Sequence, residues 1–477
     1  MKKLVLFIFS ALLPVFASSQ VLSLDSCRAL ALRNNKQIKM ADEAVRGAEM
    51  LSRAAFAGYL PGIDFTAGYT YNQHVIELLG EDAKLPTMTF DPSTMKYEYN
   101  IVKMPDGTPV KDPATGSYIP SEVAVIPKEA MRFDTHNVFA GAFTLTQPIY
   151  MGGSIRALND IARAGEGVAQ SARNVAVQDL IYSVDESYWL VVSLKEKQKL
   201  AKSFENLVDS LNYSVKKLFE NGMATRSDIL NVEVKLNEAK IAYVKVSNGL
   251  SLAEMALQQL CGLPIGEPLF LEGEEGLAMP RVESLPIYDI NDVYSRRQDL
   301  EMVRKSIDLL KGKEKLSLSA MLPKIAAVGT YSFSNPNVIH GFEKRFGGGF
   351  SVGAVLTIPI WHWGGNAFKY GAARSATLSQ RFLLEDLEEK VELQVRQARY
   401  KFEEAFKTLE MTRTNMEKAD ENLRQAQLAY KEGMLTVDDV TGAQTAWLQA
   451  HSEEVDAIIG VKLCEVYLSK VLGLMTE

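Results

Sequence analysis

The sequence predicts an internally duplicated α+β membrane protein, each half contributing two transmembrane β-strands and a set of long coiled-coil helices. Three observations predict it. One ordered set of short motifs occurs twice. Apolar residues recur at helical spacing over stretches too long for an ordinary globular helix, and four segments alternate apolar and polar residues for about ten positions.

The duplication organises the whole chain of 477 residues. Leu60-Pro61-Gly62-Ile63 recurs as Leu322-Pro323-Lys324-Ile325, with Tyr69 and Tyr71 answered by Tyr331 and Phe333. Pro148-Ile149-Tyr150 recurs as Pro359-Ile360-Trp361, and Gly152-Gly153 as Gly364-Gly365 with one residue inserted. Beyond that pair the halves run at an offset near 211: Asn221-Gly222-Met223 answers Glu432-Gly433-Met434, Asp228 answers Asp439, and Gly262-Leu263 answers Gly473-Leu474. The predicted plan is a first repeat over 20–263, a Pro/Gly/Glu-rich linker over 264–286 and a second repeat over 287–477. Each repeat reads helix, strand, strand, long helix, turn, helix.

The helices follow from period. From Ile229 the apolar positions are Val232, Leu236, Ala239, Tyr243, Val246, Leu250, Ala253, Leu257 and Leu260. The matching set is Val440, Ala443, Trp447, Ala450, Ala457, Val461, Cys464, Leu468 and Val471, with Glu454 as one polar interruption. Alternating steps of three and four specify a coiled-coil seam. The segments after Gly153 and Gly365 run roughly 65 residues without proline, about 100 Å of helix. The predicted helices at 24–57 and 226–262, with their counterparts, each reach about half that length.

The strands, predicted at about 60–72, 137–150, 323–334 and 349–361, follow from period two. Ile63, Phe65, Ala67, Tyr69 and Tyr71 fall on one face, with Asp64, Thr66, Gly68, Thr70 and Asn72 on the other. Tyr150, Trp361 and Trp363 sit at the strand-to-helix junctions, where an aromatic belt at a membrane interface would fall. Four strands cannot close a barrel, because an edge left open in lipid strands its backbone polar groups. Two or more copies must therefore share one.

The remaining composition excludes other classes. Lys2 and Lys3, an apolar run over 4–16 and small residues Ala17-Ser18-Ser19 read as a signal peptide over 1–19. A net charge of −7 argues against nucleic acid as a partner. Three cysteines, Cys27, Cys261 and Cys464, do not make a disulfide framework, and Cys464 falls on a helix seam as a small buried hydrophobe. His74, His136, His340, His362 and His451 show no second ligand at metal spacing, and the glycine runs lack the lysine of a phosphate loop. With no nucleophile paired to a base, the chain reads as no enzyme, with no cofactor.

The duplicated plan, the Leu-Pro before each half's first strand, the Pro-aromatic-Gly-Gly passage into each long helix and the Gly-Met at each helical turn resemble the TolC-like outer-membrane efflux family, over essentially the whole mature chain. The resemblance implies a homotrimer in the outer membrane, with a 12-stranded barrel and an α-helical periplasmic tunnel. Its implied partners are outer-membrane lipid, a periplasmic adaptor protein and an inner-membrane pump. It implies passive export of small molecules, the alternatives being a protein-secretion outlet for an ABC transporter and a surface coiled-coil scaffold or adhesin. The turns at Gly222, Met223, Gly433 and Met434 become adaptor-docking tips. Asp228, Asp439 and Tyr430 match positions where the family carries tip aspartates and a latch tyrosine. Thr225-x-x-Asp228 and Thr436-x-x-Asp439 equally fit helix capping boxes. Two departures stand out: the segment 72–137 far exceeds its counterpart 334–349 and predicts an enlarged external loop or lid, and Leu435 occupies a place where relatives can carry a basic residue.

Overall fold

A computed structural model describes residues 21–272 and 288–475. The segment read as a signal peptide and most of the expected linker lie outside the described residues. Contacts divide the chain into two units that cut across the sequence repeats: a helical unit (residues up to 55, 156–317 and from 368) and a strand unit (56–155 and 318–367).

The helical elements are α1 (Leu24–Asn34), α2 (Lys36–Ala57), α3 (Ser154–Glu220), α4 (Arg226–Cys261), α5 (Ile290–Arg296), α6 (Gln298–Ser319), α7 (Gly365–Lys431) and α8 (Val437–Val471). α3 and α7 each run 67 residues. The coiled-coil seam read for α4 is the face that packs. Val232, Leu236, Ala239, Leu250, Ala253 and Leu257 are buried, and Tyr243, Val246 and Leu260 half-buried. Small residues on the seams admit close approach: a Cβ on Gly312 of α6 would stand 2.6 Å from the Ile161 side chain of α3. Cys464 is only half-buried, with Sγ 3.8 Å from the Lys401 carbonyl, so its seam position faces backbone rather than the centre of the core.

One expectation is corrected in both halves. The single helix over 24–57 is two helices, broken at Asn35, whose backbone is extended (φ −61°, ψ 135°). Its counterpart breaks likewise at Arg297 (φ −70°, ψ 112°). Asparagine competes with the helix for its own backbone groups. Asn35 Oδ1 accepts from the Gln37 amide at 2.8 Å, starting α2, and its Nδ2 donates to the Leu260 carbonyl at 3.1 Å. Asn34 Nδ2 donates to the Cys261 carbonyl at 3.2 Å. The break thus supplies donors for the last carbonyls of α4, which have no intrahelical partner. In the second half Arg297 Nη1 does the same for Val471 at 3.2 Å. The helix ends come so close that a Cβ on Gly262 (φ +68°) would lie 2.5 Å from Asn34 Cβ, and one on Gly473 3.0 Å from Arg296 Cβ.

A core of α1, α3 and α4 joins Cys27, Ala31, Val184, Tyr188, Leu257 and Cys261. At its edge Arg28 binds Asp185 through both carboxylate oxygens, Nε at 2.7 Å and Nη2 at 2.5 Å. The Asp185 side chain has no exposed surface. The start of the linker is tied to this unit. Gln258, almost fully buried, donates to the Glu267 carbonyl at 2.6 Å and accepts from the Gly266 amide at 2.8 Å, and Leu22 pairs with Leu271 in an isolated parallel bridge.

In the strand unit, β1 (Gly62–Tyr71), β2 (Asn137–Met151), β3 (Lys324–Asn335) and β4 (Gly347–Thr357) form one sheet in that order, every neighbouring pair antiparallel. The segment between β1 and β2 is built, not irregular. Residues 76–77 pair with 132–133, 83–86 with 123–126 and 88–91 with 96–99, and isolated bridges join Ile101 to Pro120, Lys103 to Pro109 and Lys111 to Tyr118. Its turns are set by aspartates: Asp91 accepts from Ser93 and Thr94, Asp106 from Thr108, and Asp112 from Ala114 and Thr115.

The paired Asp185 yields a stability prediction. Removing the carboxylate strands a half-buried guanidinium, and breaking a buried pair this way costs about 3 kcal/mol. Asp185→Ala should lower unfolding stability by about that amount in chemical denaturation, while Asp25→Ala, which removes only the exposed 3.0 Å contact to Arg28, should change it by less than about 1 kcal/mol.

Candidate functional site

The sheet has two chemically distinct faces. The register sets Ile63 opposite Leu145, Phe65 opposite Phe143 and Tyr69 opposite Phe139; Phe143 then faces Tyr331, and Tyr331 faces Phe350. These side chains share one face and remain open: Ile63 is 72% exposed, Phe350 83% and Val352 79%. Their rings contact one another across strands, Phe65 to Phe143 at 4.6 Å and Tyr69 to Phe139 at 4.8 Å between centroids. Gly141 makes room for this layer, because a Cβ there would stand 2.6 Å from the Phe333 ring. The opposite face carries Asp64, Thr66 and Thr70 on β1, Thr144 on β2, Thr330 and Ser332 on β3 and Ser351 and Thr357 on β4. An apolar face this continuous is costly in water and suited to hydrocarbon. Among the described residues β1 and β4 each pair on one side only, so the sheet has two open edges.

Of the aromatic residues read as an interfacial belt, Tyr150 lies near the end of β2, past a bulge at Pro148, while Trp361 and Trp363 occupy the link from β4 to α7. Both tryptophans are open, 70% and 84% exposed, with their rings edge-on at 5.8 Å.

In the helical unit, the turns from α3 to α4 and from α7 to α8 are built alike. Gly222 (φ +74°) and Gly433 (φ +72°) take the left-handed conformation that ends a helix. The amides of Met223 and Met434 close the turns onto the Leu218 and Ala429 carbonyls, each at 2.8 Å. Both methionine side chains are held out to solvent, at 70% and 74% exposed.

Asp228 and Asp439 each complete a capping box. Asp228 Oδ2 accepts from the Thr225 amide at 2.7 Å while Thr225 Oγ1 accepts from the Asp228 amide at 3.2 Å; Asp439 and Thr436 repeat this at 2.9 and 3.3 Å. The Thr225 amide and hydroxyl hold Asp228 below the usual carboxylate range, and the Thr436 hydroxyl and amide do so for Asp439. Tyr430, on α7, packs against the cluster that joins Val215, Ile229, Val232, Val437 and Val440. Burial first, and then the charge of Asp228, raise its phenol. The structure therefore brings Tyr430 within electrostatic reach of Asp228, with no hydrogen bond between them in the single chain, and Asp228 Oδ1 is left out of the cap. Leu435 packs beside Leu423, Ala426, Ala443 and Trp447, so the leucine at this position is part of an apolar cluster.

Three polar features near these turns were not found from sequence. Asn212 Oδ1 and Gln444 Oε1 are buried and have no hydrogen-bond partner among the described residues, although Gln444 Nε2 donates to the Leu207 carbonyl at 3.3 Å. Asp420 Oδ1 accepts from Trp447 Nε1 at 2.7 Å and lies 2.9 Å from His451 Nε2. Gln444 is adjacent to the seam residue Ala443, and a polar residue beside a heptad position was the available signal.

Comparison with known proteins agrees with this geometry. Solved channels share the fold. The open-state outer membrane channel MtrE of Neisseria gonorrhoeae superposes with a TM-score of 0.72 at 18% identity, over 94% of this chain and 88% of that one. The outer membrane protein VceC of Vibrio cholerae gives 0.70 at 13%, over 94% and 96%, and the outer membrane channel CmeC of Campylobacter jejuni 0.69 at 16%, over 94% and 85%. No curated protein matches the chain by sequence. The model of the outer membrane efflux protein family matches residues 127–263 and 290–474, one segment in each repeat and together more than half of the sequence. The chain belongs to the outer membrane efflux protein family.

Proposed function

We propose that the protein acts as a homotrimer whose sheets join edge to edge into one 12-stranded barrel, and that it takes small molecules from an inner-membrane pump and a periplasmic adaptor to the exterior. The observation that carries this reading is the four-stranded sheet with one open apolar face and two unpaired edges. In hydrocarbon each unpaired backbone group costs several kcal/mol, so the edges need partners. Three four-stranded sheets would supply them, β4 of one copy meeting β1 of the next. The polar face then lines the conduit, and Tyr150, Trp361 and Trp363 anchor at the lipid boundary. The structural repeats over 20–263 and 287–477 would each furnish one such strand pair with its helices, and the excursion between β1 and β2 would stand at the external mouth.

The faces provide the test. Phe65→Arg should disfavour insertion by about 2–4 kcal/mol, the range for a cation at a barrel's lipid face. Thr66→Arg, one residue on and on the other face, should insert at the wild-type level. The wild type should extract from outer membranes as a heat-sensitive trimer on gels. Recovery of a water-soluble monomer, or equal loss in both variants, would overturn the reading.

For the turns, the proposal is that Met223 and Met434 form adaptable apolar contacts with the adaptor, since an exposed thioether side chain fits itself to a partner surface. Each is solvent-facing, so its replacement leaves the packing intact. The double variant Met223→Glu, Met434→Glu should keep the trimer and lose drug export by an order of magnitude or more, measured as a fall in minimum inhibitory concentrations. Bulky residues at Gly222 and Gly433 should act alike, and normal export in both double variants would remove the docking proposal.

The proposed resting gate engages Tyr430 and Asp228 through the carboxylate oxygen that the cap leaves over. Planar-bilayer conductance checks it: Tyr430→Phe and Asp228→Ala should each raise the resting conductance, and the double variant should add nothing further. Unchanged conductance with only a lower melting temperature for Asp228→Ala would leave the aspartate as a cap alone. The pH dependence has a definite sign. Because the Thr225 cap depresses Asp228 in the folded state, this carboxylate stays ionised through the ordinary carboxylate range, and its charge is lost to the Tyr430 contact only as pH falls through the lower folded value. The closed state should therefore persist in mild acid.

A further inference from the structure

We propose that Cys27 and Cys261 are joined by a disulfide in the exported protein, a covalent staple between α1 and the C-terminal end of α4. In the structure both are thiols and both are fully buried. They abut, with Cys261 Sγ 3.6 Å from the Cys27 carbonyl oxygen, and share one apolar cluster with Ala31, Val184, Leu257 and Leu271. The contact lies beside the tightest approach of α1 to α4, where Asn34 binds the Cys261 carbonyl and Gly262 leaves no room for a Cβ. The backbones are thus already held together where the two cysteines meet.

Location supplies the chemistry. An outer-membrane protein folds outside the cytoplasm, where thiol pairs that meet are oxidised and remain so. The bridge forms by exchange with a disulfide-bearing oxidant while the helices dock. The thiolate of Cys27 attacks one sulfur of the oxidant's disulfide, making a mixed disulfide and releasing one oxidant thiolate. The thiolate of Cys261 then attacks Cys27 Sγ, forming the S–S bond and expelling the second. Two electrons pass to the oxidant, which takes up the two protons as a dithiol or as two thiols.

The staple would tie together the two ends of the first repeat, residues 234 apart in sequence. The second repeat has no equivalent: the register of the duplication sets Leu472 opposite Cys261 and Asp289 opposite Cys27. Cys464 stands outside the cluster, against the Lys401 carbonyl of α7.

The test is alkylation of the full-length protein from native outer membranes, denatured in iodoacetamide without reductant and weighed intact. The expected result is one adduct, at Cys464, rising to three after reduction, with a proteolytic peptide pair linking Cys27 to Cys261. Three adducts before reduction, or a bridge that includes Cys464 or a foreign thiol, would overturn the proposal. Thermal unfolding of the detergent-purified trimer gives a second readout. Reductant present during unfolding should lower the wild-type melting temperature by several degrees and leave Cys27→Ala, Cys261→Ala and the double variant unaffected, with the three variants alike. A wild type indifferent to reductant, with single losses that add in the double, would mean that the pair only packs.

Discussion

The four-stranded sheet answers to one constraint: in a bilayer, a backbone amide or carbonyl that finds no partner has no water to turn to. A four-stranded antiparallel sheet meets that demand in its interior and fails at two edges. The apolar face, open on every strand, removes the option of leaving the sheet in water. The polar face removes the option of covering both sides with lipid. What remains is closure with other copies, so the trimer we propose follows from the sheet's own unmet hydrogen bonds. Gly141 illustrates how tightly the lipid-side layer is specified, since the Phe333 ring occupies the space that any other side chain there would take.

In the helical unit the corresponding difficulty is at helix ends. A coiled-coil seam buries side chains along a helix and does nothing for the last carbonyls. Both repeats meet this in the same way, by interrupting the shorter helix and turning the interrupting residues onto the carboxyl end of α4 or α8. Asn35 and Arg297 are chemically unlike, yet each supplies a donor at the same place in its repeat. The duplication has kept the geometric solution while the residue that delivers it has diverged.

This explains what was legible in the sequence and what was not. Period-two segments and heptads were readable because each is a local pattern repeated many times, so a few exceptions such as Glu454 do not erase it. The turn glycines were readable because a left-handed residue ending a helix admits few alternatives. The break at Asn35 was hidden because two asparagines in a long helical pattern cost little, and the donor role depends on α4, more than two hundred residues away. Asp185 was equally hidden: one acid among several in a 67-residue helix, next to Glu186, reads as solvent-facing until Arg28 is brought to it by the tertiary fold. The segment 72–137 read as a loop because its pairings are short, two to four residues each, and fixed by Asp-centred turns that alternation does not register.

At the helical turns, the polar groups are used unequally. The capping boxes occupy one carboxylate oxygen of each tip aspartate, and the Tyr430 phenol is partly withdrawn from water with its strongest electrostatic neighbour, Asp228, not bonded to it. Nearby, two buried amide oxygens go without donors among the described residues, each a cost of about 1–3 kcal/mol. A segment whose seam is apolar and whose polar groups are incompletely matched owes its helix association to packing more than to hydrogen bonds, and the latch we propose would add to that packing. Packing of this kind is given up over a short displacement, whereas the caps travel with their own helices and survive it. The unmatched amides would then gain partners or water on opening, lowering the cost of the open state without weakening either helix. A conduit worked by a partner's binding energy needs that combination: rigid helices, and between them a contact that a modest differential affinity can undo.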